Sequence, residues 1–282
     1  MSEKLVVEDI EPSDKEEVLE LSSGIWEGHD YVPDVFDRWV EDGGFICGKL
    51  NGKIIALAKH TRQKNGVLWL EGLRVHPEFQ GGGFAREMVE KQLDLIEDLD
   101  HTKVRFLTSG NKEPVKKLAA GKGFSIKQEY HYLRMDEEDL EKAEMPSVSK
   151  DIKKESNVEK VKKNVLSSEE LEENAGQYMQ HWTTYDLDED LIEKEVKKDK
   201  CYSTGDGLAF FHHYEPYDSL SIPFINGSIE DMKDLFNLGL KWSIERDHDR
   251  YSIKTASERV VKAAEEVGMG YGDFKTVLLY ER

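Results

Sequence analysis

Two Asn-Gly pairs, Asn51-Gly52 and Asn65-Gly66, constrain this chain more than any other feature. Asn-Gly accepts φ > 0 at both central positions, as a type I′ turn requires. Each pair is flanked by β-type sequence: FICGKL before the first, IIALAKH between them, VLWLEGLRV after the second. The pattern predicts a three-stranded antiparallel meander.

Around the meander the chain reads as an α/β protein. A strand-like LVVEDI comes first, and Ser13-x-x-Glu16 then offers a capping box ahead of Val18, Leu19 and Leu21. A second short helix fits Asp34 to Val40. After the meander come a glycine-rich turn, a helix from about Phe84 to Leu95, the strand KVRFLTS, a helix near Val115 to Ala120, and a last strand through SIKQEYHYLRM. The expected order is β-α-α-β-β-β-α-β-α-β, a mixed sheet flanked by helices.

The length of 282 residues exceeds the ~100–150 usual for one domain. Residues 136–157 are charged and poor in apolar side chains, so they read as a linker with a short helix in its acidic part. That gives a domain at 1–135 and another at 158–282. The second half echoes the first: strands GLAFFHHYE and SLSIPFI, a helix opened by Ser228-x-x-Asp231, a strand near Tyr251 to Lys254, a helix near Ser257 to Val267, a break at Gly268, and the strand FKTVLLYE.

Asp and Glu number 58 against 39 Lys and Arg, a formal net charge of −19. An acidic surface argues against tracking nucleic-acid phosphates or docking on anionic membrane, both of which need a basic face. The opening MSEKLVVEDI has no signal-peptide architecture and no apolar run reaches ~20 residues, so a cytoplasmic protein is expected. Cys47 and Cys201, far apart and outside any CxxC pattern, read as buried small hydrophobes in strands. His212 and His213 are neighbours in a strand and face opposite sides, and no third ligand lies at suitable spacing, so no metal site is expected.

The stretch LEGLRVHPEFQGGGFAREMVEKQ, Leu70 to Gln92, carries chemistry. Gln80-x-x-Gly83-x-Ala85 sits between a strand and a helix. Gly81, Gly82 and Gly83 let the backbone close around an anion without a Cβ in the way. A helix N-terminus supplies unpaired N–H groups and a favourable dipole for a pyrophosphate. A dinucleotide fold would place such a turn after the first strand of a βαβ unit, with an acidic residue ~20 positions on. Here an antiparallel meander precedes it.

The motif resembles the acetyl-CoA signature of the GNAT superfamily, Q/R-x-x-G-x-G/A after a strand ending in V-x-P, here Val75-His76-Pro77. The resemblance covers about residues 4 to 135. At GIWEGHDYVP, Gly24 to Pro33, and EGLRV, Glu71 to Val75, it resembles the histidine N-acetyltransferase-like branch. It implies tandem GNAT-like folds, the second degenerate, with acetyl-CoA as co-substrate held at Gln80, Gly81, Gly82, Gly83, Phe84, Ala85 and Arg86. Pro77 would end and help splay the strand, freeing edge groups of Leu73, Arg74 and Val75 for pantetheine, with the Leu73 and Val75 N–H groups as oxyanion donors. Asn111 falls near the family's CoA-contacting asparagine, one residue out of spacing.

Glu71 is the candidate general base, since the acceptor amine must lose a proton; a solvent-facing strand glutamate or an ion pair with Arg74 would also suit that position. The family's tyrosine acid has no counterpart near Ala119, so either the acid comes from elsewhere, with Tyr130 or Tyr132 as guesses, or the thiolate leaves unprotonated. Trp26, Glu27, Asp30 and Tyr31 lie where GNAT folds border the acceptor. Aromatics beside carboxylates suit a small cationic or imidazole-bearing amine, although a capped loop packing on the sheet would look the same. The expected function is acetyl-CoA-dependent N-acetyl transfer to a small amine or free amino acid, histidine first. A protein N-terminal acetyltransferase and a non-catalytic acyl-CoA sensor are the rivals. The sequence leaves the oligomeric state open.

Overall fold

The structure is a computed structural model that describes residues 5–25 and 30–282. The chain divides into two compact units. One holds residues up to Phe106 together with Leu118–Phe124 and Glu281–Arg282, and the other holds Leu107–Lys117 and Ser125–Tyr280.

In the first unit, strand β1 (Val6–Asp9), helices α1 (Lys15–Ser23) and α2 (Val32–Asp42), strands β2 (Phe45–Leu50), β3 (Lys53–Arg62) and β4 (Val67–Val75), and helix α3 (Phe84–Glu97) lead into β5 (Lys103–Ser109) and α4 (Glu113–Gly121). The sheet runs β1-β2-β3-β4-β5, antiparallel except for β4–β5. Both Asn-Gly turns have positive φ at both residues, 53° and 83° at Asn51-Gly52 and 64° and 73° at Asn65-Gly66, so the expected meander is present. Two local expectations differ. The start of α1 is set by reciprocal bonds between Glu11 and Asp14 around a 3-10 turn rather than by Ser13 and Glu16. Helix α2 begins earlier than Asp34 because Pro33, whose fixed φ suits a first helical turn, extends it to Val32.

Apolar residues cover both faces of this sheet. Val18, Leu21, Val35, Phe36 and Trp39 of α1 and α2 pack on Phe45, Cys47, Ile54 and Leu57. On the other face Met88 packs with Ile46, Ile55, Ala58 and Val75. Cys47 is one of the buried small residues, its thiol pushed up to about 11 by burial.

The second unit carries β6 (Ser125–Asp136), α5 (Glu137–Lys142), β7 (Lys153–Lys154), α6 (Val158–Leu166), α7 (Glu169–Glu173), β8 (Gln177–Gln180), β9 (Thr183–Asp186), α8 (Glu189–Lys197), β10 (Cys201–Thr204), β11 (Gly207–Tyr214), β12 (Ser219–Asn226), α9 (Ile229–Glu245), β13 (Arg250–Thr255), α10 (Glu258–Glu266) and β14 (Gly270–Glu281). Its strand order is β14-β6-β13-β12-β11-β10-β7, and β12–β13 is parallel. Strand β6, counted with residues 1–135 in the sequence, pairs with β13 in this unit. The acidic stretch after it forms the expected short helix, α5, capped reciprocally by Asp136 and Asp139. Cys201 is buried in β10, again a strand position.

Lys254 on β13 is buried, its Nζ 4.4 Å from the centre of the Tyr132 ring and 5.0 Å from that of Trp182. Burial, then the nearby Arg250 and Arg134, push its pKa down to about 7. The unfolded chain keeps that lysine charged up to ~10.4, so it binds more protons than the folded chain between the two values. The penalty is therefore complete below about pH 7 and is relieved as pH rises toward ~10. Lys254→Met, unbranched and neutral, is expected to raise stability at pH 7 by about 2 kcal/mol after loss of the ring contacts is deducted. Urea melts should show the gain at pH 7 and a smaller one at pH 9.5; equal stability at pH 7 would contradict the assignment.

Candidate active site

A β-bulge sets the site. Between the pairs Lys59↔Glu71 and Leu57↔Arg74, strand β4 carries one residue more than β3. Gly72 occupies the bulge with φ 68°, a left-handed conformation that favours glycine. Pairing of β4 with β5 covers Val67–Trp69 against Lys103–Arg105, so the register ends before the bulge. The sequence points to Pro77 for this opening; Gly72, five residues earlier, is where β4 departs. The His76 N–H donates to the Ile55 carbonyl on β3. By strand alternation the N–H groups of Val75 and Leu73 then point to the opposite edge, as an oxyanion donor pair would need.

The glycine loop closes back on this strand. Gln80 Nε2 donates to the Val75 carbonyl at 3.1 Å, and the Gly82 N–H to the Phe79 carbonyl at 3.4 Å. Gly81 and Gly83 have φ 81° and 87°, and Gly83 caps α3. A Cβ on Gly81 would meet nothing within 4 Å, and one on Gly83 only the Arg86 guanidinium at 3.9 Å. The first helical bond is Glu87 N–H to the Gly83 carbonyl. It leaves the N–H groups of Phe84, Ala85 and Arg86 without a partner among the described residues, at an exposed helix N-terminus. A Cβ on Gly82, by contrast, would meet the Phe84 ring at 2.9 Å, so the open space lies at Gly81 and Gly83, and with three spare donors it fits a phosphate ligand.

Glu71 faces a polar cluster that the sequence did not predict. Thr61 Oγ1 donates to Glu71 Oε1 at 2.6 Å. Lys59, directly opposite on β3 and 1 % exposed, donates from Nζ to the carbonyls of Gly43 at 2.7 Å and His60 at 2.9 Å. Burial raises the Glu71 pKa above the ordinary carboxylate range, against the opposing pull of Thr61, Lys59 and Arg38. Burial likewise lowers that of Lys59. A carboxylate with a raised pKa is a better proton acceptor than a free one. The clue in the sequence was a lysine within the apolar run IIALAKH; its partner was hidden by the register.

Arg74 does not pair with Glu71. It forks onto Asp30, Nε to Oδ2 at 3.0 Å and Nη2 to Oδ1 at 2.9 Å, and Nη1 donates to the Leu73 carbonyl at 3.1 Å. Its guanidinium carbon lies 5.3 Å from the centre of the Tyr31 ring. Tyr31 stacks edge-on against Trp39, and burial raises its pKa to about 12, so its hydroxyl stays protonated. Asp30 and Tyr31 thus meet at Arg74, with both Asp30 oxygens already used. Trp26 and Glu27 lie outside the described residues. Asn111 is exposed in the turn between β5 and α4 and belongs to the second unit. Tyr130 is committed elsewhere, donating to the Asn174 carbonyl at 3.1 Å, while the Tyr132 ring lies against Lys254.

Residues 14–124 match the model of the acetyltransferase (GNAT) family. A histidine N-acetyltransferase of Oreochromis niloticus is 31 % identical over 86 residues, 29 % of this chain and 26 % of that protein. The human probable N-acetyltransferase 16 is 38 % identical over 73 residues, 25 % of this chain and 20 % of that protein. The chain thus spans about a quarter of the curated relatives it matches. Among solved structures, a GCN5-related N-acetyltransferase from Sphaerobacter thermophilus matches with TM-score 0.65 at 12 % identity, covering 99 % of this chain and 95 % of that one. A tandem GNAT protein from the clavulanic acid biosynthesis pathway matches with TM-score 0.62 at 10 % identity, covering 99 % and 98 %. Both likenesses concern fold. They agree with a tandem GNAT-like architecture over the whole chain, as the sequence led us to expect.

No helix among the described residues is long and apolar enough to cross a membrane.

Proposed function

We propose that the chain is an acetyl-CoA-dependent N-acetyltransferase acting on a small amine or free amino acid, with histidine the first acceptor to try. The observation that carries this reading is Glu71: a half-buried carboxylate of raised pKa, on the strand whose far end opens into an anion-binding glycine loop. Acetyl-CoA, when bound, supplies the acetyl group as a thioester. The chain's residues do the rest. Gly81, Gly83 and the first turn of α3 hold the pyrophosphate. Leu73 and Val75 present N–H groups to the thioester carbonyl, and Glu71 takes the proton of the attacking amine. The Asp30–Arg74 pair, with Tyr31, fixes one wall of the acceptor side. The names of the relatives support an amino-acid acceptor.

The second half offers no matching cradle. Its turn at Asn226-Gly227-Ser228 is closed: Ser228 Oγ accepts from the Asp231 N–H at 3.1 Å, and a Cβ on Gly227 would meet Gly207 Cα at 2.5 Å. One CoA per chain is therefore expected by calorimetry, and two would contradict it.

Thiol release from acetyl-CoA, measured with free histidine, other amino acids, polyamines and N-terminal peptides, tests the reading. Peptides winning in kcat/KM would favour an N-terminal acetyltransferase. Saturable CoA binding without turnover on any amine would favour a sensor. The loop itself is tested by Gly83→Val. A β-branched residue at φ 87° is strained and projects a side chain over the spare N–H groups. A CoA affinity at least ~10-fold weaker is expected, since each 1.4 kcal/mol lost is tenfold. Unchanged affinity would mean that the phosphates bind elsewhere.

A further inference from the structure

Two turns of the second unit bring together three side chains that no spacing in the sequence connects. His213 lies near the end of β11, Asp218 immediately precedes β12, and His248 precedes β13. His213 Nε2 lies 2.7 Å from Asp218 Oδ1, and His248 Nε2 lies 3.9 Å from the same oxygen. One nitrogen or oxygen from each residue falls within 4.8 Å of the others. The two imidazoles lie nearly parallel, with centres 5.0 Å apart. We propose that His213, Asp218 and His248 bind a divalent transition-metal ion of the zinc class.

Three features support a built site over a chance grouping. The donor set, two imidazole nitrogens and one carboxylate oxygen, suits zinc and its borderline neighbours and leaves further positions for water. The inner ligand is held from behind. His248 is 3 % exposed, its N–H donates to the Ser243 carbonyl at 3.0 Å, and its Nδ1 lies 3.4 Å from the buried Ser243 Oγ. A ligand histidine is commonly held through its second nitrogen by a polar neighbour, and here Nδ1 lies on Ser243 while Nε2 is the nitrogen on the cluster side. The two turns are also fastened to each other through the backbone, the Asp249 N–H donating to the Asp218 carbonyl at 3.0 Å. An ion there would cross-link the β11–β12 connection to the start of β13 and stabilise the folded chain over the unfolded one. His212, next in sequence, is turned away: its Nε2 lies 3.9 Å from Glu195. That alternation is why reading His212-His213 as a pair yields no third ligand.

The test uses the full chain without an affinity tag, stripped with a chelator. Zinc is titrated calorimetrically and cobalt(II) by its visible ligand-field absorption. One ion per chain is expected, with imidazole-type cobalt bands. His213→Gln and Asp218→Asn, both at exposed positions, should each weaken zinc at least ~10-fold, while His212→Gln should leave the affinity unchanged. Zinc should raise the melting temperature of the parent chain and not of His213→Gln. His248→Gln adds a third reading when its melt stays cooperative. If the parent chain takes up no stoichiometric ion, or if either His213→Gln or Asp218→Asn binds as tightly as the parent, the assignment is overturned.

Discussion

Glu71→Gln is expected to lower turnover by about 10²- to 10⁴-fold at neutral pH, the usual cost of removing a general base, while leaving CoA affinity nearly unchanged. The amide keeps the shape of the carboxylate and can still accept from Thr61, so the fold should tolerate it. It cannot take a proton. The pH profile carries the sharper test. Burial raises the Glu71 pKa, so the base is present only above that raised value, and kcat/KM of the parent enzyme should fall as pH drops through it. That limb should lie above the ~4.3 of an ordinary glutamate. In Glu71→Gln the limb disappears. What remains should track the neutral fraction of the acceptor, rising tenfold per pH unit up to ~8 for an α-amine. The ratio of parent to variant must therefore shrink as pH rises. Full activity of the variant at pH 7 would remove Glu71 from the mechanism.

The parts of this site that the sequence discloses are those encoded within a few residues. A turn needing φ > 0 twice in succession selects Asn-Gly, and a loop that must expose N–H groups selects a glycine run ahead of a helix. The meander and the Gln80–Arg86 loop are therefore legible in the residues alone. Contacts that depend on register are hidden there. Lys59 meets Glu71 through the register that runs back unbroken to the β3–β4 turn, and the bulge at Gly72, a single glycine inside a strand-like run, shifts the pairing only beyond Glu71. Pro77 is the more conspicuous breaker, but it acts after the strand has already departed from β5. Asp30 reads as an acceptor group because a carboxylate beside aromatics suits an amine. Its fork onto Arg74 spans 44 positions in sequence, beyond the reach of any local pattern. His248 escapes for the same reason: its neighbours His213 and Asp218 come from another turn, brought beside it by the parallel pairing of β12 with β13.

Gly72→Ala is expected to destabilise the chain by about 2–5 kcal/mol, and the cause can be separated into two parts. The first is backbone. With φ at 68° any L-residue other than glycine loses roughly 1–2 kcal/mol. The second is steric. A Cβ at this position would lie 2.7 Å from Cζ3 and 2.8 Å from Cη2 of Trp39. That indole is 2 % exposed, wedged between Tyr31 at 5.8 Å and Phe45 at 5.0 Å between ring centres, and cannot step aside cheaply. Overpacking of this kind costs a further ~1–3 kcal/mol. Gly52→Ala isolates the first part: Gly52 has φ 83°, and a Cβ there meets nothing within 4 Å. It should lose only the backbone share, about 1–2 kcal/mol. Trp39→Phe made in the Gly72→Ala background isolates the second, because a smaller ring makes room for the methyl; the double variant should be more stable than the sum of the single losses implies. Since α2 carries Trp39 against the bulge beside Glu71, Gly72→Ala should also lower acetyl transfer in whatever fraction stays folded. Urea melts of the parent and these variants decide the matter. If Gly72→Ala loses no more than Gly52→Ala, the bulge does not rest on Trp39, and the opening of β4 has another cause.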